Sequence, residues 1–322
     1  MMGEASVSVI IAAYNAEAFI SRAIESALTQ TLPPREILIV DDCSTDGTRA
    51  VLEAAAWKHP TVKVIAMARN GGPSAARNAG IAQARGDWLA VLDADDAFAP
   101  TRLATLTAFA ESIGADFVAD DLAYYDAVAD CAGASAIGDT IVLPDRPLSL
   151  RDYLSHNLAD GRSFDWGLLK PIFRRDALIQ RDIAYDPDVR HGEDFRLVVE
   201  LLLSGAQFRI LPQPLYFYTQ RQGAVSGRPS GMTRTTIAYR KLKDAALALA
   251  CDPRIASDPE IVGLLQKRAS GLARLDDAHF VSTSLRAGAF GEIAVRTRRD
   301  PSFLPFMLRQ IGRAMRRRFP AL

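Results

Sequence analysis

Apolar and polar positions fall in blocks along the first third of the chain, and the period of the pattern switches from block to block. Residues 7–13, Val-Ser-Val-Ile-Ile-Ala-Ala, form a short β-branched run that is apolar on both faces and predicts a buried strand. Over residues 17–30, Phe19, Ile20, Ile24 and Leu28 recur at helical spacing, and Pro33-Pro34 breaks the element. Residues 36–40 predict a second strand ending in Asp41-Asp42, and residues 62–65 a third. Ser44 to Thr48 form a turn that opens a helix, with Ser44 or Asp46 as its cap. Gly71-Gly72 leads into a helix over 73–84, with Pro73 in its first turn. A fourth run, Trp88-Leu89-Ala90-Val91-Leu92, follows Gly86 and stops abruptly at Asp93-Ala94-Asp95-Asp96. Strands alternating with helices at this spacing predict parallel βαβ units, a doubly wound α/β sheet with helices on its faces.

The later pattern is less regular. Residues 116–119 predict a strand with Asp120-Asp121 at its end, and 122–149 look irregular with one short strand near 141–143. A helix over 193–203 shows Phe195, Val198, Val199 and Leu202 on one side, and 207–211 predict a further strand. From about Arg228 the chain turns rich in Ala and Leu with interspersed Arg and Lys. It predicts helices over 236–250 and 261–285, with breaks at Asp252-Pro253 and Asp258-Pro259. This change divides the chain into an α/β domain, residues 1–227, and a helical extension, residues 228–322.

Composition excludes several classes. The 322 residues are 49% hydrophobic and 24% charged, an ordinary globular make-up. Lys+Arg 38 balance Asp+Glu 38, so no net field points to nucleic acid. Cys43, Cys131 and Cys251 are scattered and odd in number; neither a disulfide framework nor a zinc spacing is visible, which fits a reducing compartment. The run at 7–13 follows Glu4 with no basic residue before Arg22, unlike a secretory signal, and no apolar run approaches a membrane span. These features predict a cytoplasmic location.

Polar groups end several strands: Tyr14-Asn15, Asp41-Asp42 and Asp93 to Asp96. In a parallel sheet all of these ends lie on one edge, where open α/β sheets bind ligands. Asp93 and Asp95 are two apart and share a face of an extended chain. Paired carboxylates suit Mg²⁺ or Mn²⁺, although a solvated turn after a strand gives the same pattern. The convergence suggests a nucleotide pocket: an aromatic ring for a base, a carboxylate for a base N–H or ribose hydroxyl, and metal-bound phosphates. Core packing for Tyr14 and turn formation for Asp42 are the plainer alternatives. No Gly-x-Gly-x-x-Gly follows the first strand, and no P-loop is present.

Four motifs occur in order: Val-Ser-Val-Ile-Ile-Ala-Ala-Tyr-Asn, Val-Asp-Asp-Cys-Ser-Thr-Asp-Gly-Thr, Ser-Ala-Ala-Arg-Asn-Ala-Gly and Leu-Asp-Ala-Asp-Asp. The set closely resembles family 2 glycosyltransferases of the GT-A fold, especially bacterial enzymes that build exopolysaccharides such as succinoglycan. The likeness is strong over about residues 7–100 and looser to about residue 226. It implies an inverting, metal-dependent transferase that uses a nucleotide-sugar, often a UDP-sugar, with Mg²⁺ or Mn²⁺. On that likeness Tyr14, with Asn15 beside it, and Asp42 meet the base. Asp93 touches the ribose or the metal, Asp95 ligates the metal, and Arg77 and Asn78 help to hold the donor. Ala12-Ala13 depart from the Pro or Thr that often precedes the Tyr in the family. The segment from Trp166 to Asp176 resembles the part that shapes the acceptor side.

His191-Gly192-Glu193-Asp194-Phe195 is the second chemical centre. Acids at a helix start are favoured by the macrodipole whatever their role. A sugar hydroxyl, however, must lose its proton as it attacks the anomeric carbon, and one carboxylate in reach can take it. A metal supplies what the diphosphate leaving group needs. Asp194 matches the Asp of the family's Glu-Asp motif and is expected to be the base. Glu193 would be a supporting or acceptor contact, and His191 a further metal or phosphate contact. Arg221 is a candidate for the diphosphate, and the loop around Gly223 for a lid.

The Gln-x-x-Arg-Trp motif of processive synthases is absent, which favours single addition. Residues 303–319 mix Phe, Leu, Met and Ile with a basic face, the pattern of an interfacial amphipathic helix or of a terminal helix packed on its own domain. The resemblance implies a glycan acceptor, commonly lipid-linked in such pathways, reached at the inner face of the membrane. The alternatives are transfer to a polyprenyl phosphate, which needs no base, and a catalytically inactive nucleotide-sugar-binding protein.

Overall fold

The computed structural model describes residues 5–126, 131–138, 143–160, 164–219, 238–300, 303–305 and 307–308. The strands are β1 (Val7–Ala13), β2 (Glu36–Asp41), β3 (Val62–Ala66), β4 (Trp88–Asp93), β5 (Ala97–Phe98), β6 (Phe117–Asp126), β7 (Cys131–Ser135), β8 (Ile172–Arg174) and β9 (Phe208–Thr219). The helices are α1 (Ile20–Leu28), α2 (Thr48–Lys58), α3 (Gly72–Gln83), α4 (Arg102–Ser112), α5 (Leu150–Ser155), α6 (Arg175–Ile179), α7 (Glu193–Leu203), α8 (Tyr239–Ala250), α9 (Pro259–Ala287) and α10 (Phe290–Arg299).

One mixed sheet runs in the order β3-β2-β1-β4-β8-β6-β9-β5, with β7 pairing β6. The strands β3, β2, β1 and β4 are parallel, as the alternating pattern predicts. The residues of β1, β2 and β4 are buried on both faces, while the edge strand β3 is partly exposed: Val9, Ile10, Ile11, Ile37, Ile39, Leu89 and Leu92 have essentially no exposure. Helix α3 lies close on this layer because Gly80 carries no side chain. A Cβ there would sit 2.7 Å from Ile10 Cγ2.

Beyond β4 the sheet turns mixed. The three-residue β8 is antiparallel to both β4 and β6, so β6 runs parallel to β4 again, and β9 is parallel to β6. The acids Asp120 and Asp121 stand inside β6, not at its end. The sequence pattern stops the next strand at residue 211, before Pro212 and Pro214. The observed β9 continues through both to Thr219, because register shifts opposite Asp120, Asp121 and Leu122 absorb the prolines as a bulge. Helix α4 starts at Arg102, and Asp96, in the turn after β4, bonds to β9. The short strand expected near 141–143 falls largely outside the described residues.

The chain divides into two compact units, Met1–Tyr153 with Phe164–Thr236, and Leu154–Ser163 with Ile237–Leu322. In the second, Asp258 caps α9 by accepting from the amides of Glu260 and Ile261, and Gly288 ends it at φ +66°. Val281, Ile293 and Phe303 form a small core between α9 and α10, with Phe280, Leu285 and Met307 packed on it. No helix among the described residues is long and apolar enough to cross a membrane.

Candidate active site

Parallel pairing puts the carboxyl ends of β1, β2 and β4 on one edge of the sheet. Strand β8 runs the other way, so the chain entering it arrives at that same edge. Ile172 pairs with Ala90, and two residues earlier Lys170 comes beside Asp93 at the end of β4. A short antiparallel strand thus delivers a lysine into the acids. Its carbonyl accepts from Arg102 Nη2 at 2.5 Å. The Arg102 guanidinium is itself fully buried and grips Asp120 with both arms at 2.9 and 2.7 Å.

Helix α3 supplies the second cation. Ser74, Arg77 and Asn78 stand at i, i+3 and i+4 and share one side of the helix. All three reach the segment that leads into α7. Ser74 Oγ donates to the Val189 carbonyl at 2.7 Å, and Asn78 exchanges hydrogen bonds with the backbone of Tyr185. Arg77 Nη1 donates to Glu193 Oε1 at 2.6 Å and lies 3.5 Å from Asp194 Oδ1, while Nη2 donates to Asp93 Oδ1 at 2.7 Å. The Ser-Ala-Ala-Arg-Asn-Ala-Gly motif therefore has two faces: Ala76 and Gly80 turned to the sheet, and the polar residues holding the start of α7.

Lys170 and Arg77 knit three carboxylates together. Lys170 Nζ is 2.5 Å from Asp194 Oδ2 and 3.0 Å from Asp93 Oδ2, and Tyr185 Oη donates to Asp194 Oδ1 at 3.0 Å. Burial opposes the charged form of Asp93, yet Lys170 and Arg77 outweigh it and hold the carboxyl well below the usual range. Burial likewise opposes the charge on Lys170 and Arg77, and Asp194 and Asp93 overcome it, so both stay protonated far above neutral pH. Burial, with Asp194 adding to it, pushes the Tyr185 hydroxyl up.

A second knot fixes the end of β4. Tyr216 Oη accepts from the Asp93 amide at 3.1 Å and donates to Asp96 Oδ2 at 2.8 Å, and Asp96 Oδ1 accepts from the Thr219 amide. The Asp95 carbonyl accepts from Arg22 Nη2 at 2.6 Å and from Thr219 Oγ1. Burial, with Asp95 and Asp93 nearby, raises the Asp96 carboxyl well above its ordinary value.

Tyr14, Asn15 and Asp42 follow β1 and β2 on the same edge. The Tyr14 ring is half exposed after β1. Asn15 has φ +50°, and its side-chain oxygen accepts from the Thr45 amide at 2.7 Å, holding the turn after β2. Asp42 is buried, and its two oxygens accept from the Gly71 and Gly72 amides at 2.7 and 2.8 Å, where α3 begins. Burial raises its carboxyl against the pull of those amides. Gly72 needs no side chain there, since its φ is +83°. His191 is half-buried just before α7. Arg221 and Gly223 lie outside the described residues. Lys170, Tyr185 and Tyr216 had no role in the sequence pattern. The signals for Lys170 are its place in the segment 166–176 and a cation inside an otherwise apolar stretch.

The donors present also say what kind of metal they could hold. Among the described residues no three His, Cys, Asp or Glu side chains converge as a cage. Both oxygens of Asp93 already face cations. Asp95 is the neighbouring half-buried carboxylate on the edge. Mg²⁺ needs no protein cage; it is commonly held by one or two carboxylates together with substrate phosphates and water. The residues fit an ion of that kind, carried by Asp95 and a diphosphate.

A mixed sheet flanked by helices, with acids on the carboxyl edge, is the GT-A glycosyltransferase architecture. Staphylococcus aureus TarS 1-349, solved in complex with UDP-GlcNAc, shares it at a TM-score of 0.62 and 23% identity, over 82% of this chain and 73% of that one. Residues 8–133 match the model of glycosyl transferase family 2. The succinoglycan biosynthesis protein ExoU of Rhizobium meliloti (strain 1021) is 33% identical over 304 residues, 94% of this chain and 85% of that protein. ExoO of the same organism is 38% identical over 220 residues, 68% of this chain; the match spans 62% of that protein's length. The chain belongs to glycosyl transferase family 2.

Proposed function

We propose that the chain moves a hexosyl group from a nucleotide-sugar, foremost a UDP-sugar, to a hydroxyl of a growing exopolysaccharide or cell-surface glycan carried on a lipid, with inversion at the anomeric carbon. The observation that carries this reading is the buried Asp194 carboxylate, fixed beside Asp93 at the ligand edge by Lys170, Tyr185 and Arg77. Asp194 Oδ1 faces Tyr185 and Arg77, while Oδ2 accepts from Lys170 and has a second lone pair for a hydroxyl proton.

In this reading Tyr14 packs on the base, and Asp42, with the turn that Asn15 holds, frames the base and ribose end. Asp93 fixes the ribose end, and Arg77 and Asn78 act through the walls of the site they position. The acceptor oxygen attacks the anomeric carbon as its proton passes to Asp194. The new C–O bond forms while the bond to the diphosphate breaks, and the diphosphate leaves with the electron pair. One base and one displacement give one inversion. Glu193 turns its carboxylate to Arg77 and keeps that cation between the acids. A bound Mg²⁺ or Mn²⁺, held by Asp95 and the donor's phosphates, would neutralise charge on the leaving group.

An exopolysaccharide acceptor is supported by the relatives ExoO and ExoU, which are named for succinoglycan biosynthesis. Contact with the inner face of the membrane would fall to the basic residues after 308, which lie outside the described residues. The test is a panel of nucleotide sugars with Mn²⁺, read first by thermal shift and then by transfer to glycan acceptors. An inverted anomer in the product supports the proposal. A retained anomer, or no nucleotide-sugar that binds at all, contradicts it.

A further inference from the structure

The acid cluster contains its own counter-charge. Asp93, Glu193 and Asp194 bring three carboxylates, and Arg77 and Lys170 bring two cations, all buried or nearly so except the partly exposed Asp93. Lys170 has the more telling position. Its ammonium touches one oxygen of Asp93 and one of Asp194, the place from which a bridging ion would hold the same two groups. It cannot simply swing away. Lys170 is 5% exposed, Pro171 follows it, and its carbonyl is pinned by Arg102. Arg102 is in turn locked to Asp120 and stacked on the Phe98 ring at 4.3 Å.

We propose that Lys170 is a built-in counter-cation that joins the donor-side Asp93 to Asp194 and keeps a free divalent ion out of the acid cluster, so that Mg²⁺ or Mn²⁺ enters only with a nucleoside diphosphate and through Asp95. The second half rests on the donor reading given above; the first rests on the side chains alone. A lysine suits the task because an ammonium is a compact point charge able to serve two carboxylates at once. It also fixes Asp194 before any ligand arrives, which makes Lys170 a positioning residue and not a catalytic one.

Removing the ammonium should convert the cluster into a metal site. Lys170→Met leaves three carboxylates facing Arg77 alone, with two hard oxygen ligands close together. The measurement is thermal unfolding of the full chain with MnCl₂ alone, at about 1 mM, a level at which weak oxygen sites begin to fill. The wild type should not shift. Lys170→Met should melt lower and recover by a few degrees with Mn²⁺, because an ion that binds only the folded state stabilises it. Lys170→Arg, which keeps the charge, should show no Mn²⁺ shift whatever its own melting temperature. No Mn²⁺ response in Lys170→Met, or an equal response in the wild type, overturns the proposal.

Should Lys170→Met fail to fold, the wild type still decides. Electron paramagnetic resonance of Mn²⁺ should show it free in the presence of the chain and bound once UDP is added. Stoichiometric binding without UDP would contradict the exclusion. If UDP itself fails to bind, the donor reading falls, while the Lys170→Met response continues to test the counter-cation.

Discussion

Asn78 and Tyr185 are 107 residues apart and exchange two hydrogen bonds. The Asn78 amide donates to the Tyr185 carbonyl at 2.7 Å, and its oxygen accepts from the Tyr185 N–H at 3.0 Å. The pair ties α3 to the segment that carries Asp194, and Tyr185 reaches Asp194 through its hydroxyl. Asn78 thus acts on the proposed base at one remove.

Asn78→Ala should cost about 1 to 2 kcal/mol of folding stability, since it strands two backbone groups of a part-buried segment. The loss should appear in turnover more than in nucleotide affinity, because the Asp194 segment loosens while the β1 and β2 ends stay. Denaturant unfolding and UDP titration read the two effects separately. A variant that loses UDP binding but keeps its stability would place Asn78 on the donor directly.

Arg77 faces three carboxylates from a buried position, and its Nε has no partner among the described residues. Replacing it by Met removes the charge and keeps much of the stem. The carboxylates would be left with Lys170 alone, a break in a buried ion network that typically costs about 3 to 5 kcal/mol. Equilibrium unfolding of Arg77→Met measures this. A change below about 1 kcal/mol, the usual worth of a surface ion pair, would mean that the network is far more hydrated than its burial indicates.

The tyrosines set an alkaline limit. Burial raises Tyr185 and Tyr216 well above their ordinary value, and Tyr218 is pushed up to about 12 by burial with Asp96 next. A tyrosine raised on folding is kept neutral, while the unfolded chain ionises at about pH 10. The sign follows: this contribution is whole below about pH 10 and is lost as pH rises toward the folded value. Of the 8 tyrosines, at least these three should stay dark in the tyrosinate band of the native chain at about pH 11, and appear on adding denaturant. Titration of all of them together near pH 10, with the fold intact, would show that these hydroxyls meet water.

Parallel strands and their helices were legible because β1, β2 and β4 are buried on both faces and spell that out in β-branched and aliphatic residues. The acids at their ends were legible for the same reason, since a charge that closes an apolar run marks where the strand leaves the core for the ligand edge. Three features were not. Strand β8 has three residues, too few for a period, and its antiparallel sense is what brings Lys170 to the site. The length of β9 was hidden by Pro212 and Pro214, which usually end strands and are here carried by a bulge. Two of the three carboxylates that Arg77 faces, Glu193 and Asp194, lie 116 residues or more along the chain, a pairing set by the packing of α3 against the start of α7. Family resemblance named Asp194 and Arg77 from their motifs; that Arg77 faces acids came only from the packed structure.

The central claim is that Asp194 is the base, and Asp194→Asn tests it most directly. The amide keeps size and shape but cannot take the proton. Affinity for UDP and for the sugar donor, measured by calorimetry with Mn²⁺ present, should stay within about twofold, while turnover with a hydroxyl acceptor should fall by about 10²-fold or more, the usual scale for loss of a general base. Turnover near the wild-type value with donor affinity intact would contradict the account.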